Sequence, residues 1–325
     1  MPVPRHSKPW QTGPMTDVRD RVSLVTGGAS GIGRSLALEF ARRGAVVVVW
    51  DIDEERLAGV VNELRRAGNG KAFGYPCDVT DPATVTRTAA QVRQEVGDVT
   101  VLVNNAGVVS GANFLDIPEA MIRHTFDVNV LALFWVTRAF LPAMIEAGRG
   151  HIVTIASAAG LVGVARQTDY SASKHAAVGF DESLRAELRR LAPHVVTTAV
   201  CPYYVDTEMF RGVQTRVPFL LPILRTEDVA MRIADAVAHD RRVLVLPPIV
   251  RLLPVLRALP TRAFDWVMDL FGVNASMDHF AGKSRAAQIE DGAPAPIVPA
   301  TGDNRSPKTP ERPGSGALEG EERDG

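Results

Sequence analysis

Six short runs rich in β-branched residues, at 22–26, 45–50, 101–104, 151–156, 195–201 and 242–246, are apolar runs that do not alternate with polar positions. A strand with one wet face alternates, whereas a run without alternation belongs in a sheet covered on both faces, which is the parallel arrangement. Between the runs lie stretches with apolar residues three or four apart, at 35–43, 54–67, 83–96, 118–147, 170–191 and 227–239. That is the spacing of helices with one buried face. A weaker strand signal at 72–76 brings the number of strands to seven. Strand and helix taking turns over so long a span predict a doubly wound parallel α/β sheet.

The chain has 325 residues, 46% hydrophobic and 22% charged, which is ordinary globular usage and excludes wholesale disorder. Its formal charge of −1 carries no electrostatic footprint for nucleic acid, so none is expected as a partner. The alternating pattern occupies 19–246 and an apolar extension follows at 247–282. The two ends differ. Residues 1–18 show no apolar period, and 283–325 hold six Pro and six Gly with no aromatic residue. Such segments bury too little surface to offset the entropy of ordering, and both are expected to be disordered. Two cysteines, Cys77 and Cys201, are too few for a disulfide framework and suit a reducing compartment, here the cytoplasm. The first residues lack the apolar core of a secretory signal. The longest uncharged stretch, 99–115, is broken by Asn104, Asn105, Gly107, Ser110, Gly111 and Asn113. No segment is expected to reach the roughly 18 apolar residues of a membrane span.

Val22–Thr26 runs straight into Gly27, Gly28, Ala29, Ser30, Gly31, Ile32 and Gly33, and a helical pattern follows at once. Glycines there let the backbone turn tightly and approach a pyrophosphate, whose charge rests on the N–H groups of the helix start. Asp51 ends the second strand, 18 residues beyond Gly33, where its carboxylate can accept from both ribose hydroxyls of an adenosine. The same charge repels a 2′-phosphate, so NAD is expected as the cofactor ahead of NADP. Asp51 has a second reading as the cap of the following helix, a position that Asp53 could also fill.

Tyr170 and Lys174 stand four residues apart at the start of a helical stretch, so phenol and ammonium project from one face. A free tyrosine, with a pKa near 10, is a poor acid–base at neutrality, and a neighbouring cation lowers it. Of the 36 basic residues 31 are Arg, yet here the residue is Lys. A compact ammonium reaches a phenol and a ribose together better than a guanidinium fork does.

In order along the chain, 26–33, Asp78-Val79, Asn104-Asn105-Ala106-Gly107, Asn129, Ser157 and the Tyr170–Lys174 pair resemble the motifs of the short-chain dehydrogenase/reductase family, over roughly 19–283. The resemblance implies a single Rossmann-type domain that binds its cofactor through Gly27, Ser30, Gly31, Ile32, Gly33 and Asp51. Asp78 and Val79 would contact the adenine ring, with Asn105, Ala106 and Gly107 lining the site after the fourth strand. It also implies that Ser157 hydrogen-bonds the substrate oxygen and that Tyr170 is the general acid/base. Lys174 would hold the nicotinamide ribose and depress the Tyr170 pKa, and Asn129 would anchor a water linking Lys174 to solvent. Thr207 falls where the family's threonine contacts the carboxamide. In one departure, Tyr203 follows Pro202 where the family usually has Gly. In this, in the run at 205–212 and in the apolar extension, the chain is similar to the retinol and hydroxysteroid dehydrogenase branch. Family members associate through the helices corresponding to 118–147 and 170–191, so a homodimer or homotetramer is expected.

After Thr207 comes an apolar loop with Met209, Phe210, Val213, Val217, Phe219, Leu220, Leu221, Ile223 and Leu224, stiffened by Pro218 and Pro222. Pockets for lipophilic molecules are lined this way, and Met209 and Phe210 join Ser157 and Tyr170 as candidate substrate contacts. The stretch that follows, to 273, carries Leu252, Leu253, Val255, Leu256, Leu259, Phe264, Trp266, Val267, Leu270 and Phe271, interrupted by Arg251, Arg257 and Arg262 and by Pro247, Pro248, Pro254 and Pro260. It has three readings: a membrane-interface segment, a cover for the pocket, or a contact with a neighbouring subunit. The activity expected is NAD-dependent interconversion of a lipophilic alcohol, such as a retinoid, steroid or fatty alcohol, with its ketone or aldehyde, and no metal is called for. Two rivals stand beside it: an NADPH-dependent carbonyl or 3-oxoacyl reductase, and a dinucleotide-sensing module without turnover.

Overall fold

The computed structural model describes residues 16–281. Seven strands, β1 (Val22–Thr26), β2 (Val46–Asp51), β3 (Ala72–Pro76), β4 (Val99–Asn104), β5 (Gly150–Ile155), β6 (Val195–Pro202) and β7 (Val243–Leu246), form one sheet in the order β3-β2-β1-β4-β5-β6-β7. Every neighbouring pair is parallel. The strands are apolar throughout because both faces are covered. Val47 and Val49 pack under α1 (Gly31–Arg42), α2 (Glu54–Ala67) and α7 (Thr226–Ala238). Val48 and Trp50, one residue out of phase, pack on the other side under α3 (Pro82–Glu95), α5 (Ala132–Glu146) and α6 (Thr168–Leu191). Successive side chains of a strand point to opposite faces, so each strand feeds both cores at once.

The order of strands reverses between β1 and β4, and at that switch the loops leaving the carboxyl ends part to make a crevice. Helix starts are fixed locally. The Asp53 carboxylate accepts from Arg56 N at 3.0 Å to cap α2, and Asp81 caps α3 by accepting from Ala83 N and Thr84 N ahead of Pro82. With Asp53 as the cap, Asp51 is left for other partners.

The helical stretch expected at 118–147 is three pieces: α4 (Glu119–Phe126), a π-turn at Asp127–Leu131, and α5. Together they make 28 residues of helix whose most apolar 18-residue window has a mean hydropathy of 1.7. By length and composition this corrects the expectation that no segment could cross a membrane. Its inner face is nevertheless a core face, with Val136, Phe140 and Met144 packed beside Trp50 and Leu102 and 44% of the window buried.

Thr16 and Val18 are buried, and the Thr16 hydroxyl donates to Asp240 Oδ1 at 2.6 Å, so the folded chain begins ahead of Arg19, inside the end expected to be disordered. The remainder of 1–18 and the tail at 283–325 lie outside the described residues. The apolar extension resolves into a 3-10 turn (Pro248–Leu252), α8 (Leu253–Leu256) and α9 (Thr261–Leu270). It folds back across the end of the sheet, where Leu253 meets Leu133 and Cys201, and Met268 meets Val162.

Candidate active site

The crevice at the switch point is a cavity of about 680 Å³ that collects residues from the carboxyl ends of six strands: Gly27 and Ala29 to Ile32, Asp51, Asp78 and Val79, Asn105 to Gly107, Ser157, and Tyr203, Val205 and Thr207 to Phe210. Gly27 and Gly31 have positive φ, +62° and +51°, which glycine adopts without strain. At Gly33 a side chain has no room, since a Cβ would lie 2.3 Å from the Gly27 carbonyl oxygen and 2.5 Å from Asn105 Nδ2. The turn is held from across the sheet. Asn105 Nδ2 donates to the carbonyls of Thr26 and Gly27 at 2.9 and 3.1 Å, and the Thr26 hydroxyl accepts from the amides of Asn105 and Ala106. Thr26 opens the motif at 26–33, but its part as the hub of these hydrogen bonds was not read from the sequence.

Asp51 faces the cleft, its Oδ2 accepting from Ala29 N at 2.9 Å and its Oδ1 from Asp53 N at 3.1 Å. Each oxygen keeps a lone pair for a further donor. Two cations line the same end and both are engaged: Arg34 makes a two-point pair with Glu63 at 2.9 and 2.6 Å, and Arg56 is shared between Asp53 and Glu208 at 3.2 Å each. Asp78 Oδ1 accepts from the Thr80 amide and hydroxyl, turning the chain at the cleft wall beside Val79. A glycine turn aimed at a helix start, a carboxylate placed for a ribose and a cradle that a Cβ would fill all fit a dinucleotide.

Tyr170 and Lys174 lie together on the buried face of α6, with Lys174 Nζ 5.6 Å from the centroid of the Tyr170 ring. Nζ donates to the Ile155 carbonyl at 2.9 Å. Asn129 sits on the π-turn, its Oδ1 accepting from Val108 N at 2.8 Å and its Nδ2 donating to Val108 O and Ser173 Oγ at 2.9 Å each. A Cβ on Gly107 would stand 3.3 Å from Asn129 Oδ1 and 3.5 Å from Lys174 Nζ, so glycine keeps open the space these two groups share. Behind Tyr170, the buried Asp169 carboxylate accepts from Ser110 Oγ at 2.6 Å and Thr125 Oγ1 at 2.8 Å, tying the start of α6 to the β4 loop and α4.

Burial governs the charges. The Tyr170 phenol is pushed up to about 12 by loss of water, with the Ser157 hydroxyl pulling the other way, and Lys174 is brought down to about 8 by the same desolvation. The sequence predicted a phenol depressed by the ammonium; in the folded protein desolvation raises it instead, and the opposing pull comes from the Ser157 hydroxyl.

A second cavity, of about 240 Å³, opens beyond Tyr170 and is walled almost entirely by apolar side chains. Ser157, Tyr170, Tyr203 and Phe210 line both cavities and so mark their junction. The extension supplies one wall through Leu252, Leu253, Leu256, Val267 and Phe271. The Phe210 ring meets Tyr170 edge-on at 6.0 Å. Met209, expected beside the substrate, lines the cofactor cleft and not the apolar cavity, because adjacent side chains of the Glu208–Phe210 turn point about a third of a circle apart. Leu220 and Leu221 reach the cavity, whereas Phe219 is exposed and Leu224 packs on the main core. Thr207 lines the cofactor cleft against Gly31. Gln167, Tyr204 and Ser276 went unnoticed in the sequence. Gln167 Nε2 donates to the Tyr204 hydroxyl at 3.2 Å, which meets Ser276 Oγ at 2.8 Å, a buried polar chain that fastens the end of the extension to the cavity wall.

A parallel sheet with a dinucleotide cleft, joined to an apolar cavity at a buried Ser–Tyr–Lys cluster, defines a nucleotide-dependent oxidoreductase. The chain belongs to the short chain dehydrogenase family, whose model matches residues 21–217. It is similar to epidermal retinol dehydrogenase 2 of Mus musculus, 42% identical over 274 residues that cover 84% of this chain and 89% of that one. Among solved structures it is similar to a short chain dehydrogenase/reductase from Burkholderia phymatum in complex with NAD, at TM-score 0.68 and 30% identity, covering 75% of this chain and 95% of that one. A metagenomic short-chain oxidoreductase in complex with NADP aligns at TM-score 0.60 and 32% identity, covering 71% and 98%.

Proposed function

We propose that the protein is an NAD-dependent dehydrogenase that interconverts a lipophilic alcohol with its ketone or aldehyde. One observation carries this: Ser157 and Tyr170 stand where the dinucleotide cleft opens into a cavity with almost no polar lining. An alcohol seated there places its carbon toward the cleft and its oxygen on two hydroxyl groups. The cofactor, held by the glycine turn, Asp51, Asp78, Val79, Thr207, Asn105 to Gly107 and Lys174, would supply the hydride acceptor. Ser157 Oγ hydrogen-bonds the substrate oxygen, and the Tyr170 oxygen takes the hydroxyl proton in oxidation and returns it in reduction. Lys174 fixes the ribose and offers a positive charge to the phenolate. Asn129 shapes the space beside Lys174 through which a water-borne proton reaches solvent.

The sign of the pH dependence follows from burial. Oxidation needs the phenolate, and Tyr170 is held protonated by desolvation with a pKa pushed up to about 12, so the rate rises as pH rises. We expect kcat/KM for alcohol oxidation to climb by about tenfold per pH unit from neutrality, then to bend near 8, where Lys174 sheds its proton. Carbonyl reduction, which uses the phenol, stays flat over the same range. An oxidation profile that is level from pH 6 to 10 would remove Tyr170 from the role.

Asp51 supports NAD, since its carboxylate opposes a 2′-phosphate. The rival NADPH reading draws on Arg34 and Arg56, but both guanidinium groups are committed to carboxylates in this fold. Fluorescence titration decides: NADH is expected to bind more tightly than NADPH by about tenfold or more, some 1.4 kcal/mol. Equal or reversed affinities would return the choice to NADPH. We further place the enzyme in the cytoplasm as a homodimer or homotetramer. Two buried, unpaired cysteines and the part-exposed Phe126, Leu131 and Phe134 around the π-turn support that placement.

A further inference from the structure

The apolar cavity holds one polar group that the proposed chemistry leaves unused. Apart from three tyrosines, the polar side chains on its wall are Ser157 and Gln167, and of these two only Ser157 also reaches the cofactor cleft. Gln167 is 1% exposed and stands just ahead of α6, one turn before Tyr170, with its main-chain carbonyl accepting from Ser171 N at 2.6 Å. The orientation of its amide follows from a chain of donors. The Val273 carbonyl can only accept, so the Ser276 hydroxyl gives its proton there, at 2.6 Å. Ser276 Oγ is then left to accept from the Tyr204 hydroxyl at 2.8 Å. With that proton committed, Tyr204 can only accept from Gln167, at 3.2 Å, so the amide nitrogen faces Tyr204 and the oxygen faces away from it. Among the described residues no donor reaches Gln167 Oε1. A carbonyl oxygen taken out of water and given no donor destabilises the fold, and native proteins carry few such groups without a reason.

We infer that Gln167 Oε1 receives a second hydroxyl group of the substrate, so that the alcohol this cavity takes carries two separate hydroxyls on an otherwise apolar body. A lone acceptor on an apolar wall selects for a donor. A hydroxyl completes the hydrogen bond, a methyl group leaves the oxygen buried and unpaired, and an ether or ketone oxygen sets two acceptors face to face. Phe210 meets the rings of both Tyr170 and Tyr204, at 6.0 and 5.3 Å, so the reacting hydroxyl and the second one lie along a single aromatic wall. The inference rests on the proposed function for which hydroxyl reacts. Binding of the diol does not require turnover, so the two can fail separately.

The test is calorimetric titration of the full chain with 1,8-octanediol and with 8-methoxy-1-octanol, repeated with the six- and ten-carbon pairs. No cofactor is added, so no ligand is turned over. The ether keeps the second oxygen, lacks its proton and is the more apolar of the two, so burial alone favours it. At the chain length that spans the cavity, the diol is nevertheless expected to bind about tenfold more tightly. Gln167→Met keeps the length of the side chain and removes the acceptor, and in it the order of the two ligands is expected to invert. Tyr204→Phe keeps the ring but frees the amide to turn, and is expected to narrow the preference to about twofold or less. It serves as the readout where Gln167→Met does not fold. A parent chain that binds no diol, or that binds the ether as tightly at all three lengths, overturns the inference, as does either variant with the parent's preference. Selective binding of the diol in a protein that oxidises no alcohol with NAD would sustain it while removing the proposed activity.

Discussion

Tyr170→Phe is expected to lower turnover of every alcohol substrate by about 10²–10⁴-fold and to leave NADH affinity unchanged within about twofold. The ring is 5% exposed and is held by Phe210 and by the packing of Val109 and Ala159, contacts that Phe retains. Only the hydroxyl is removed. No backbone hydrogen bond depends on it, so the start of α6 and the position of Lys174 survive the change. Stopped turnover with intact NADH binding, read by steady-state assay and fluorescence titration on one preparation, separates loss of the proton carrier from loss of the site. It also answers the third reading of the chain, a dinucleotide sensor without chemistry. Such a protein would show no hydride transfer even with Tyr170 present. Retained turnover in the variant would sink the mechanism.

Gly33→Ala is expected to cost about 1–3 kcal/mol of stability and to weaken NADH binding by about tenfold or more. The added methyl must displace the Gly27 carbonyl oxygen, 2.3 Å from where it would sit, and Asn105 Nδ2 at 2.5 Å. These are the atoms that shape the turn toward the helix start, so strain and lost affinity have one cause. Gly59→Ala on α2 is the control. Nothing lies within 4 Å of its Cβ and the position is exposed, so that variant should hold its melting temperature or gain about 0.5–1 kcal/mol. A Gly33→Ala protein with the parent's melting temperature and NADH affinity would show that the turn yields where the geometry says it cannot.

The parts of the site that were legible from the sequence are those fixed within one loop or one helical turn. Gly27 to Gly33, Asp51 at a strand end, and Tyr170 with Lys174 on one helix face depend on spacing alone, and the fold places them as the spacing implies. Whatever depends on chain segments far apart was not legible. The apolar cavity is assembled from residues between Ser157 and Val273 that meet only once the extension folds back, and among its three readings the fold shows the cover over a pocket. The inverted direction of the Tyr170 pKa has the same origin, because the spacing locates the ammonium but says nothing of how completely water is excluded. The side on which Met209 stands was not legible either, because one residue of phase in a 3-10 turn decides which cavity a side chain enters.

The π-turn at Asp127–Leu131 has no signature in hydropathy, since it differs from its neighbours by one hydrogen-bond step and not by residue type. Such a turn is an α-helix with a single surplus residue, and the surplus brings Asn129 around to Val108 and Ser173. A lineage that deleted one residue between 127 and 131 would knit the segment into a more regular helix and swing that amide away from its post. Purifying selection on chain length, and not only on residue identity, should therefore be felt in these five positions.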